Sequence, residues 1–464
     1  MKVFNTLTRS FEELAPIEPG HVRMYTCGPT VYNAAHIGNF RTYVFEDLLR
    51  RYLKYRGFRV TQVMNLTDVD DKTIRNSRQA GLALDAYTQP YKQMFFEDIG
   101  VLNIEPAEHY PAATDHVPEM MALIQRLLDR GLAYRSDDGS VYFSIARFPG
   151  YGKLAHIDLA GMQAGARVAQ DEYEKENVAD FALWKAWDEQ DGDVAWDAPW
   201  GRGRPGWHIE CSAMSMKYLG ESFDIHTGGV DNMFPHHDDE IAQSEGATGK
   251  PFVRYWMHSA HLVVNGQKMS KSLGNFFTLR DLQARGFTGR ELRYVLLSAH
   301  YRQSLNFTFD AVHAARASLA RIDEFTARLR EAAARQPPAG ELPGWAATAR
   351  QRFETAMDHD LGISDALAAL FDMVHEGNRA MDRGEPGGSP QAALDMIARL
   401  DTVLGVLAAP QAEAGDEVKA LAQARATARR EKNWKESDRL RDAIRALGWE
   451  VRDTPEGQKL TLAG

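Results

Sequence analysis

The chain has 464 residues, 44% hydrophobic and 25% charged, which is enough apolar material for a large core and about three domains. Its net charge of −10 argues against broad nonspecific adhesion to nucleic acid, although a local basic surface remains compatible with it. No apolar run approaches the roughly 18 residues of a membrane span, and residues 1–5 lack the pattern of an export signal. We therefore expect a cytoplasmic enzyme.

The N-terminal part predicts a strand, a helix and a second strand. Residues 22–26 form the first strand, which Cys27 extends and Gly28 ends. A helix is predicted over 41–55 from apolar side chains at helical spacing, and a strand over 58–64. Such a βαβ unit belongs to a parallel sheet, whose ligands bind beyond the carboxyl ends of the strands.

The middle of the chain has a different pattern of predicted elements. Residues 119–199 contain a helix candidate over 120–130 and short strand candidates, and we interpret them as an insertion in the catalytic domain. Sheet-like residues return at 223–226. Asn265-Gly266 predicts a tight two-residue hairpin turn.

After about residue 309 the sequence is helical and rich in Ala, Arg and Leu. A last segment carries two helix candidates, 416–431 and 435–447, and then a possible strand. The predicted domains are a Rossmann-like α/β parallel-sheet domain in two pieces (1–118 and 200–250), the insertion (119–199), a junction (251–309), an α-helical bundle (310–408) and a small C-terminal domain (409–464).

The first candidate site follows the first strand, where residues 27–39 read CGPTVYNAAHIGN. Small and polar residues at a strand end let a nucleotide approach the backbone, and the helix that follows offers free N–H groups to phosphates. His36 and Asn39 are candidate hydrogen-bond donors to phosphate oxygens. For an isolated His-x-x-Asn, the capping of a loop is the simpler interpretation.

The second candidate site is the string Lys-Met-Ser-Lys-Ser at residues 268–272. Lys268 and Lys271 stand among small residues and predict a mobile cationic loop. Such a loop neutralises charge that builds up on a phosphate under attack and on departing pyrophosphate. A solvated basic turn is the alternative.

The third candidate site combines the two cysteines with a histidine and a glutamate. His236 and Glu240 are spaced to share one helical face, and a proline before them suits a helix start. With Cys27 and Cys211 they offer ligand types that suit zinc with a further position for substrate. His237 is the rival ligand, but on a regular helix it points about 100° away, which indicates a supporting role. Spacing alone is weak, and two buried thiols acting as small hydrophobes are the alternative.

Together these three sites resemble cysteinyl-tRNA synthetases, a family of class I aminoacyl-tRNA synthetases. Residues 36–39 look like the "HIGH" signature, with Asn39 in place of the final histidine, and 268–272 is the "KMSKS" signature. Residues 206–214 and 234–240 look like the zinc segments of the family.

The resemblance implies a Rossmann-like catalytic domain split by an insertion, an α-helical bundle and a C-terminal anticodon-binding domain. It implies the substrates cysteine, ATP and tRNA(Cys), one Zn²⁺ per chain, Mg²⁺ with ATP, and a monomer. Lys271 matches the lysine that contacts ATP. The residues that match the zinc ligands are Cys27, Cys211, His236 and Glu240.

Two further residues are candidates for the cysteine pocket. Thr67 follows the second predicted strand, and Trp207 lies in the first zinc segment. A strand-end turn for Thr67 and core packing for Trp207 are the alternatives. Zinc itself predicts selection against serine, because a borderline-soft metal binds thiolate much better than alcohol. No candidate for an editing domain is found in the sequence.

The last segment suggests a surface for tRNA. Arg425, Arg429 and Lys432 recur at helical spacing, and Trp434 is close by. Basic groups hold a phosphate backbone, and an aromatic ring stacks on an unpaired base. Acidic residues are interspersed, so a solvated helix face with core tryptophans is the alternative.

Three other functions compete with a cysteine–tRNA ligase. A cysteine ligase to an amino-sugar acceptor shares the activation site but lacks the tRNA-binding C-terminal part. A non-catalytic tRNA-binding paralogue is expected to lose a lysine or a zinc ligand. A structural zinc protein has no use for the string at 268–272.

Overall fold

Strands and helices alternate in the first two thirds of the chain, and helices dominate after them. The computed structural model describes residues 1–157, 180–335, 340–407, 415–454 and 457–462. The described strands are β1 (Lys2–Asn5), β2 (Ser10–Glu13), β3 (His21–Thr26), β4 (Arg59–Met64), β5 (Ala133–Arg135), β6 (Val141–Phe143), β7 (Phe181–Ala186), β8 (Trp196–Ala198), β9 (Gly201–Pro205), β10 (Phe223–Gly229), β11 (Val253–Ser259), β12 (Leu262–Val264), β13 (Gln267–Lys268), β14 (Leu305–Phe307), β15 (Trp449–Thr454) and β16 (Gly457–Leu462).

The described α-helices follow the same chain order. They are α1 (Ile37–Tyr55), α2 (Asp71–Gln79), α3 (Leu84–Val101), α4 (Val117–Asp129), α5 (Trp207–Leu219), α6 (Asp238–Thr248), α7 (Leu279–Ala284), α8 (Gly289–Leu297), α9 (Phe309–Ala333), α10 (Gly344–Asp358), α11 (Ile363–Asp382), α12 (Pro390–Leu404), α13 (Asp416–Arg430) and α14 (Trp434–Ala446).

A four-stranded parallel sheet positions the site. Its order is β11-β10-β3-β4, and α1 connects β3 to β4, which confirms the predicted βαβ unit. Met24 and Tyr25 are neighbours on β3 whose side chains point to opposite faces, and both are 0% exposed, as expected for a sheet covered on both faces. The carboxyl ends of β3, β4, β10 and β11 therefore meet at one edge.

Helix α1 begins earlier than predicted. It starts at Ile37 because His36 and Asn39 cap it reciprocally. The N–H of His36 donates to Asn39 Oδ1 (3.1 Å), and the N–H of Asn39 donates to His36 Nδ1 (3.2 Å). A capping box usually has Ser or Thr at the first position and Glu or Gln three residues later, so the pair His36 and Asn39 does not mark a helix start by its residue types.

An antiparallel sheet of order β5-β6-β7-β9-β8 lies within the predicted insertion. It shares one hydrophobic core with the parallel sheet: Phe143 and Trp184 belong to the same buried cluster as Trp256. Strand β9 runs to Pro205, past the predicted boundary at 199, because it pairs with β7 and β8.

The hairpin predicted at Asn265-Gly266 is confirmed. Strands β12 and β13 pair antiparallel on either side of these two residues. Asn265 has φ = 50° and Gly266 has φ = 75°, and two central residues with positive φ are typical of the tight turn that suits a twisted hairpin.

The chain divides into two compact units, Met1–Val406 and Leu407–Gly464. In the second unit α13 and α14 pack together with the hairpin β15-β16. Its core consists of Val418, Ala422, Ile444 and Trp449. Among the described residues of both units, no helix combines the length and apolar character needed to cross a membrane.

A buried ion pair fixes α1 against α8. Asp47 Oδ2 lies 2.5 Å from an Arg293 guanidinium nitrogen, and both side chains are 0% exposed. Arg51 adds a second contact to the same carboxylate at 2.8 Å. The Nε of Arg293 also donates to the carbonyl of Leu404 at the end of α12 (2.7 Å). The helix that His36 and Asn39 cap is thus anchored along its second half.

We expect Asp47→Ala to lower the free energy of unfolding by about 3–5 kcal/mol, because it leaves a buried guanidinium without its anion. Urea denaturation followed by tryptophan fluorescence measures this. Arg352→Ala is the matched control, since its ion pair with Asp372 is exposed (53% and 57%) and contributes less than about 1 kcal/mol. Equal losses in the two variants would contradict the assigned role.

Candidate active site and metal centre

A cavity of about 900 Å³ opens at the carboxyl edge of the parallel sheet. It brings together residues that are distant in sequence. The sequence-predicted residues in its lining are Cys27, His36, Asn39, Trp207 and Lys268. Asp231 and Asn232, just after β10, also line it and were missed by the sequence analysis; their position after a strand of the same sheet is the signal that points to them.

One wall of the cavity depends on Gly28. A Cβ atom at this position would lie 1.8 Å from the carbonyl oxygen of Asn65, so no side chain fits. The N–H of Gly28 donates to Asn65 Oδ1 at 2.9 Å. The ends of β3 and β4 are thereby held in direct backbone contact.

His36 carries its proton on the nitrogen that is not used in the cap. Burial lowers the pKa of His36, so the imidazole is neutral at neutral pH. Because Nδ1 accepts from the N–H of Asn39, the proton of the neutral ring resides on Nε2. The capping role and a donor role toward a ligand are therefore compatible.

The loop that follows β13 lies against the start of α1. Met269 Cε lies 2.7 Å from where a Cβ of Gly38 would be, and the ring of Phe276 packs edge-on against His36 with centroids 5.0 Å apart. Asn275 closes the loop: it accepts from the N–H of Ser270 (2.8 Å) and donates to the carbonyl of Lys268 (3.2 Å).

The two predicted lysines lie in different elements of the loop region. Lys268 is exposed at the end of β13 and lines the cavity. Lys271 begins a short 3₁₀ turn (Lys271–Leu273), and its side chain lies outside the described part of the structure.

Four buried side chains converge at one point beside the cavity. One ligand atom each of Cys27, Cys211, His236 and Glu240 lies within 4.8 Å of the other three. His236 Nε2 is 3.1 Å from Glu240 Oε1, which accepts no hydrogen bond of acceptable geometry from the part of the chain that the structure describes. A buried carboxylate oxygen without a donor, facing an imidazole and two thiols, is the arrangement that a cation satisfies.

A second group shares two of these residues. Cys27 and Glu240 also cluster with His226 and His237, and His237 Nε2 is 3.3 Å from Cys27 Sγ. The expectation that His237 points away is wrong, because residues 233–237 form a π-helical turn with non-helical backbone angles at Phe234 instead of a regular α-helix. Both His236 and His237 therefore approach Glu240, at 3.1 and 4.0 Å.

Existing hydrogen bonds and access from the cavity favour the first group as the metal site. His237 Nδ1 pairs with His258 Nε2 (2.9 Å), and His226 Nε2 pairs with Glu240 Oε2 (2.9 Å). His226 and His237 are both 0% exposed, whereas His236 of the first group is 3% exposed and stacks on Trp207, which lines the cavity. A substrate that enters the cavity reaches the Cys27 side of the cluster.

His208 contacts His236 and was not identified as a site residue from the sequence. Its Nδ1 lies 2.8 Å from His236 Nδ1, and its Nε2 lies 3.3 Å from Asp239 Oδ2. The signal was its position three residues before Cys211 on α5, which puts both on one helix face. Such a partner orients a ring that binds metal through its other nitrogen.

Without a bound cation the cluster is neutral at pH 7. Burial raises the pKa of Glu240 to about 8, against the opposing effect of His236, and lowers the pKa of His236 to about 3. Burial also raises the pKa of the Cys211 thiol well above its usual value. The imidazole is ready to bind a metal, whereas the thiols and the carboxyl group must lose protons.

The two candidate pocket residues occupy different places. Trp207 is 41% exposed, lines the cavity and stacks on His236 with centroids 4.5 Å apart. Thr67 is 2% exposed and is absent from the cavity lining. Its hydroxyl donates to Glu210 Oε1 (2.7 Å) and accepts from Asn65 (3.1 Å).

The four candidate tRNA contacts differ in how exposed their side chains are. Arg425 is 3% exposed and pairs with both carboxylate oxygens of Asp453, at 3.0 and 3.1 Å. Arg429 lies over the ring of Trp434, 5.5 Å from its centroid, and Trp434 is 56% exposed. Lys432 is exposed in the turn between α13 and α14. Arg425 thus stabilises the second unit from within, and Arg429 is partly buried with an ion pair to Asp453 at 3.4 Å, whereas Lys432 and Trp434 face solvent.

Comparisons with known proteins agree along the whole chain. The family described as tRNA synthetases class I (C) catalytic domain matches residues 13–317, the DALR domain matches 352–408, and the cysteinyl-tRNA ligase anticodon binding domain matches 412–459. The structure resembles Mycobacterium tuberculosis methionyl-tRNA synthetase in complex with methionyl-adenylate, with a TM-score of 0.61 at 16% identity over 82% of this chain and 89% of that one.

Fold, cavity and matched catalytic domain define a class I aminoacyl-tRNA synthetase. The chain is 53% identical to the cysteine–tRNA ligase of Protochlamydia amoebophila, over 99% of this chain and 97% of that one. It is 51% identical to the enzyme of Chlamydia felis with the same coverage. The chain belongs to the cysteine–tRNA ligase family.

Metal affinity at this cluster should rise with pH. Because two thiols and a carboxyl group with a pKa of about 8 are protonated in the metal-free protein, metal binding releases protons and is favoured as the pH increases. We expect zinc retention against a chelator to fall steeply from about pH 8 to pH 6. Zinc that is retained equally well at both pH values would contradict this site.

Proposed function

We propose that the protein activates cysteine with ATP and transfers the cysteinyl group to the 3′ end of tRNA(Cys). One observation carries the proposal: a cluster of two thiols, an imidazole and a carboxyl group reaches, through Cys27, the same cavity that His36, Asn39 and Lys268 line. The cluster with the two thiols is suited to a sulfur-bearing substrate. His36, Asn39 and Lys268 are suited to a triphosphate.

In the first step the carboxylate of cysteine attacks the α-phosphorus of ATP in line, and pyrophosphate leaves. The N-terminus of α1 and Nε2–H of His36 offer donors to phosphate oxygens. Lys268 and Lys271 supply positive charge as the transition state forms, and Mg²⁺ accompanies ATP. The acid–base demand is small, so positioning and charge neutralisation account for most of the catalysis.

Zinc fits the donor set of Cys27, Cys211, His236 and Glu240. These four residues would hold the ion without an additional protein ligand. When bound, it supplies a borderline-soft position that binds thiolate much better than alcohol. Selection of cysteine over serine then needs no separate editing site, since the pocket itself could not reject so small a difference.

Trp207 and Thr67 are proposed to shape the amino-acid pocket. Trp207 covers His236 from the cavity side and limits the space beside the metal ligands. Thr67 acts from within the wall: through Asn65 and Glu210 it holds the strand end next to Cys211.

The second unit is proposed to bind the anticodon region of tRNA. Arg429, Lys432 and Trp434 combine positive charge with an exposed aromatic ring, which suits unpaired bases on a phosphate backbone. The match of an anticodon-binding domain to residues 412–459 favours this function over a cysteine ligase for amino sugars. The monomeric state stays a prediction from the resemblance, and the cytoplasmic location stays a prediction from the sequence composition.

The first test is ATP–pyrophosphate exchange with cysteine and with serine. We expect exchange with cysteine to exceed exchange with serine by at least about 10³-fold. Cys211→Ser should lose bound zinc and most of the exchange, because a serine hydroxyl is a poor zinc ligand. Ser215→Ala, one turn further along the same buried helix face, is the control and should keep both. Comparable exchange with both amino acids would reject selection by zinc.

The second test separates tRNA binding from activation. We expect Lys432→Ala combined with Trp434→Ala to raise KM for tRNA about tenfold, because a charge and a stacking surface are lost. Pyrophosphate exchange should stay at the wild-type level. Lys250→Ala, another exposed lysine, serves as the control in aminoacylation assays. If the double variant lost exchange and aminoacylation equally while folded, the tRNA assignment would be wrong.

A further inference from the structure

A tyrosine lies directly beside the metal cluster. Tyr25 stands two positions before Cys27, and the N–H of Cys27 continues the strand ladder by donating to the carbonyl of Thr227 (3.4 Å). Side chains two residues apart on a strand leave it on the same face. The ring of Tyr25 is 0% exposed and meets His226 edge-on, with centroids 5.1 Å apart.

The hydroxyl of Tyr25 has no hydrogen-bond partner among the described residues. This is unusual, because buried hydroxyl groups are nearly always paired. Burial first, and then Cys211, Cys27 and Glu240, raise the pKa of this phenol well above its ordinary value. The ring packs on His226 and shares a strand face with Cys27, and the phenol also interacts with the Cys211 side chain, so the hydroxyl lies next to the ligand cluster.

The missing acceptor is one that metal binding creates. A thiol sulfur is a weak acceptor, whereas a metal-bound thiolate is anionic and accepts much more strongly. The phenol keeps its proton at neutral pH, so beside an anionic ligand it acts as a donor. Glu240 is the less suitable acceptor, because its Oε2 already lies 2.9 Å from His226 Nε2 and its Oε1 faces His236.

We propose that the hydroxyl of Tyr25 donates a hydrogen bond to the Cys211 thiolate when the centre holds its metal, which makes Tyr25 a positioning residue for this ligand. The inference rests on the zinc centre of the proposed function. A donor to a ligating atom orients it, and its loss weakens metal binding by about 10–100-fold in comparable sites. The same donor draws negative charge from the sulfur and so favours binding of a second thiolate, that of the substrate.

The experiment replaces Tyr25 by phenylalanine in the full chain, which removes the hydroxyl and keeps the ring. Zinc affinity is measured by competition with a chromophoric chelator, and the Co²⁺ form reports on the thiolate through its sulfur-to-metal absorption band. We expect Tyr25→Phe to bind zinc about tenfold more weakly and to shift this band. Unchanged affinity and an unchanged band would overturn the inference.

Tyr52→Phe is the matched control. Tyr52 is also 0% exposed, but its hydroxyl bonds Asp358 (2.8 Å) and the carbonyl of Glu354 (3.1 Å), both on α10. This variant should lose stability without any change in zinc affinity or in the cobalt spectrum. A loss of metal affinity as large as that of Tyr25→Phe would assign the effect to general destabilisation and would overturn the inference.

A second measurement covers the case in which Tyr25→Phe does not fold. Site-specific incorporation of 3-fluorotyrosine at position 25 keeps the ring and makes the hydroxyl a stronger donor. If the phenylalanine variant folds, the cobalt band of the fluorotyrosine protein should shift in the opposite direction. If that variant does not fold, the band should still differ from the wild-type band. A band identical to that of the wild type would overturn the inference. Wild-type protein that binds no stoichiometric zinc would instead refute the proposed function itself.

Discussion

The approach of Cys211 to Cys27 is the constraint on which the rest of the site depends. Cys27 follows a strand of the parallel sheet, and Cys211 lies on a helix that begins where the antiparallel sheet ends. The two thiols meet only because both sheets pack into one core, which places α5 against the sheet. The antiparallel sheet is therefore part of the architecture of the candidate metal centre.

Burial of this cluster has two chemical consequences. It keeps the free protein neutral there, since the pKa of Glu240 is raised to about 8 and that of His236 is lowered to about 3. It also leaves polar atoms unpaired, notably Glu240 Oε1 and the Tyr25 hydroxyl. Unpaired buried polar atoms are unfavourable, so the free site is poised for a cation whose binding deprotonates the thiols and pairs these atoms.

The phosphate end of the cavity is organised by hydrogen bonds instead of by charge burial. His36 and Asn39 cap α1, and Asn275 closes the loop that carries Lys268. Helix α1 is anchored further along its length through the ion pair of Asp47 with Arg293. The two halves of the cavity thus have different physical bases: a neutral, buried thiol-rich end and a solvent-accessible end rich in donors.

Local pattern alone determined the βαβ unit, the hairpin at Asn265-Gly266 and the string at 268–272, because each depends on neighbours in sequence. The resemblance to the family rested on the strings at 36–39, 206–214, 234–240 and 268–272, and the comparisons confirm it. Tertiary structure decided what depends on distant contacts. It buried Arg425 against Asp453, turned His237 toward Cys27 through an irregular turn, and placed Thr67 within the wall. Exposure and side-chain direction at these positions are set by partners elsewhere in the chain, which spacing along the sequence cannot encode.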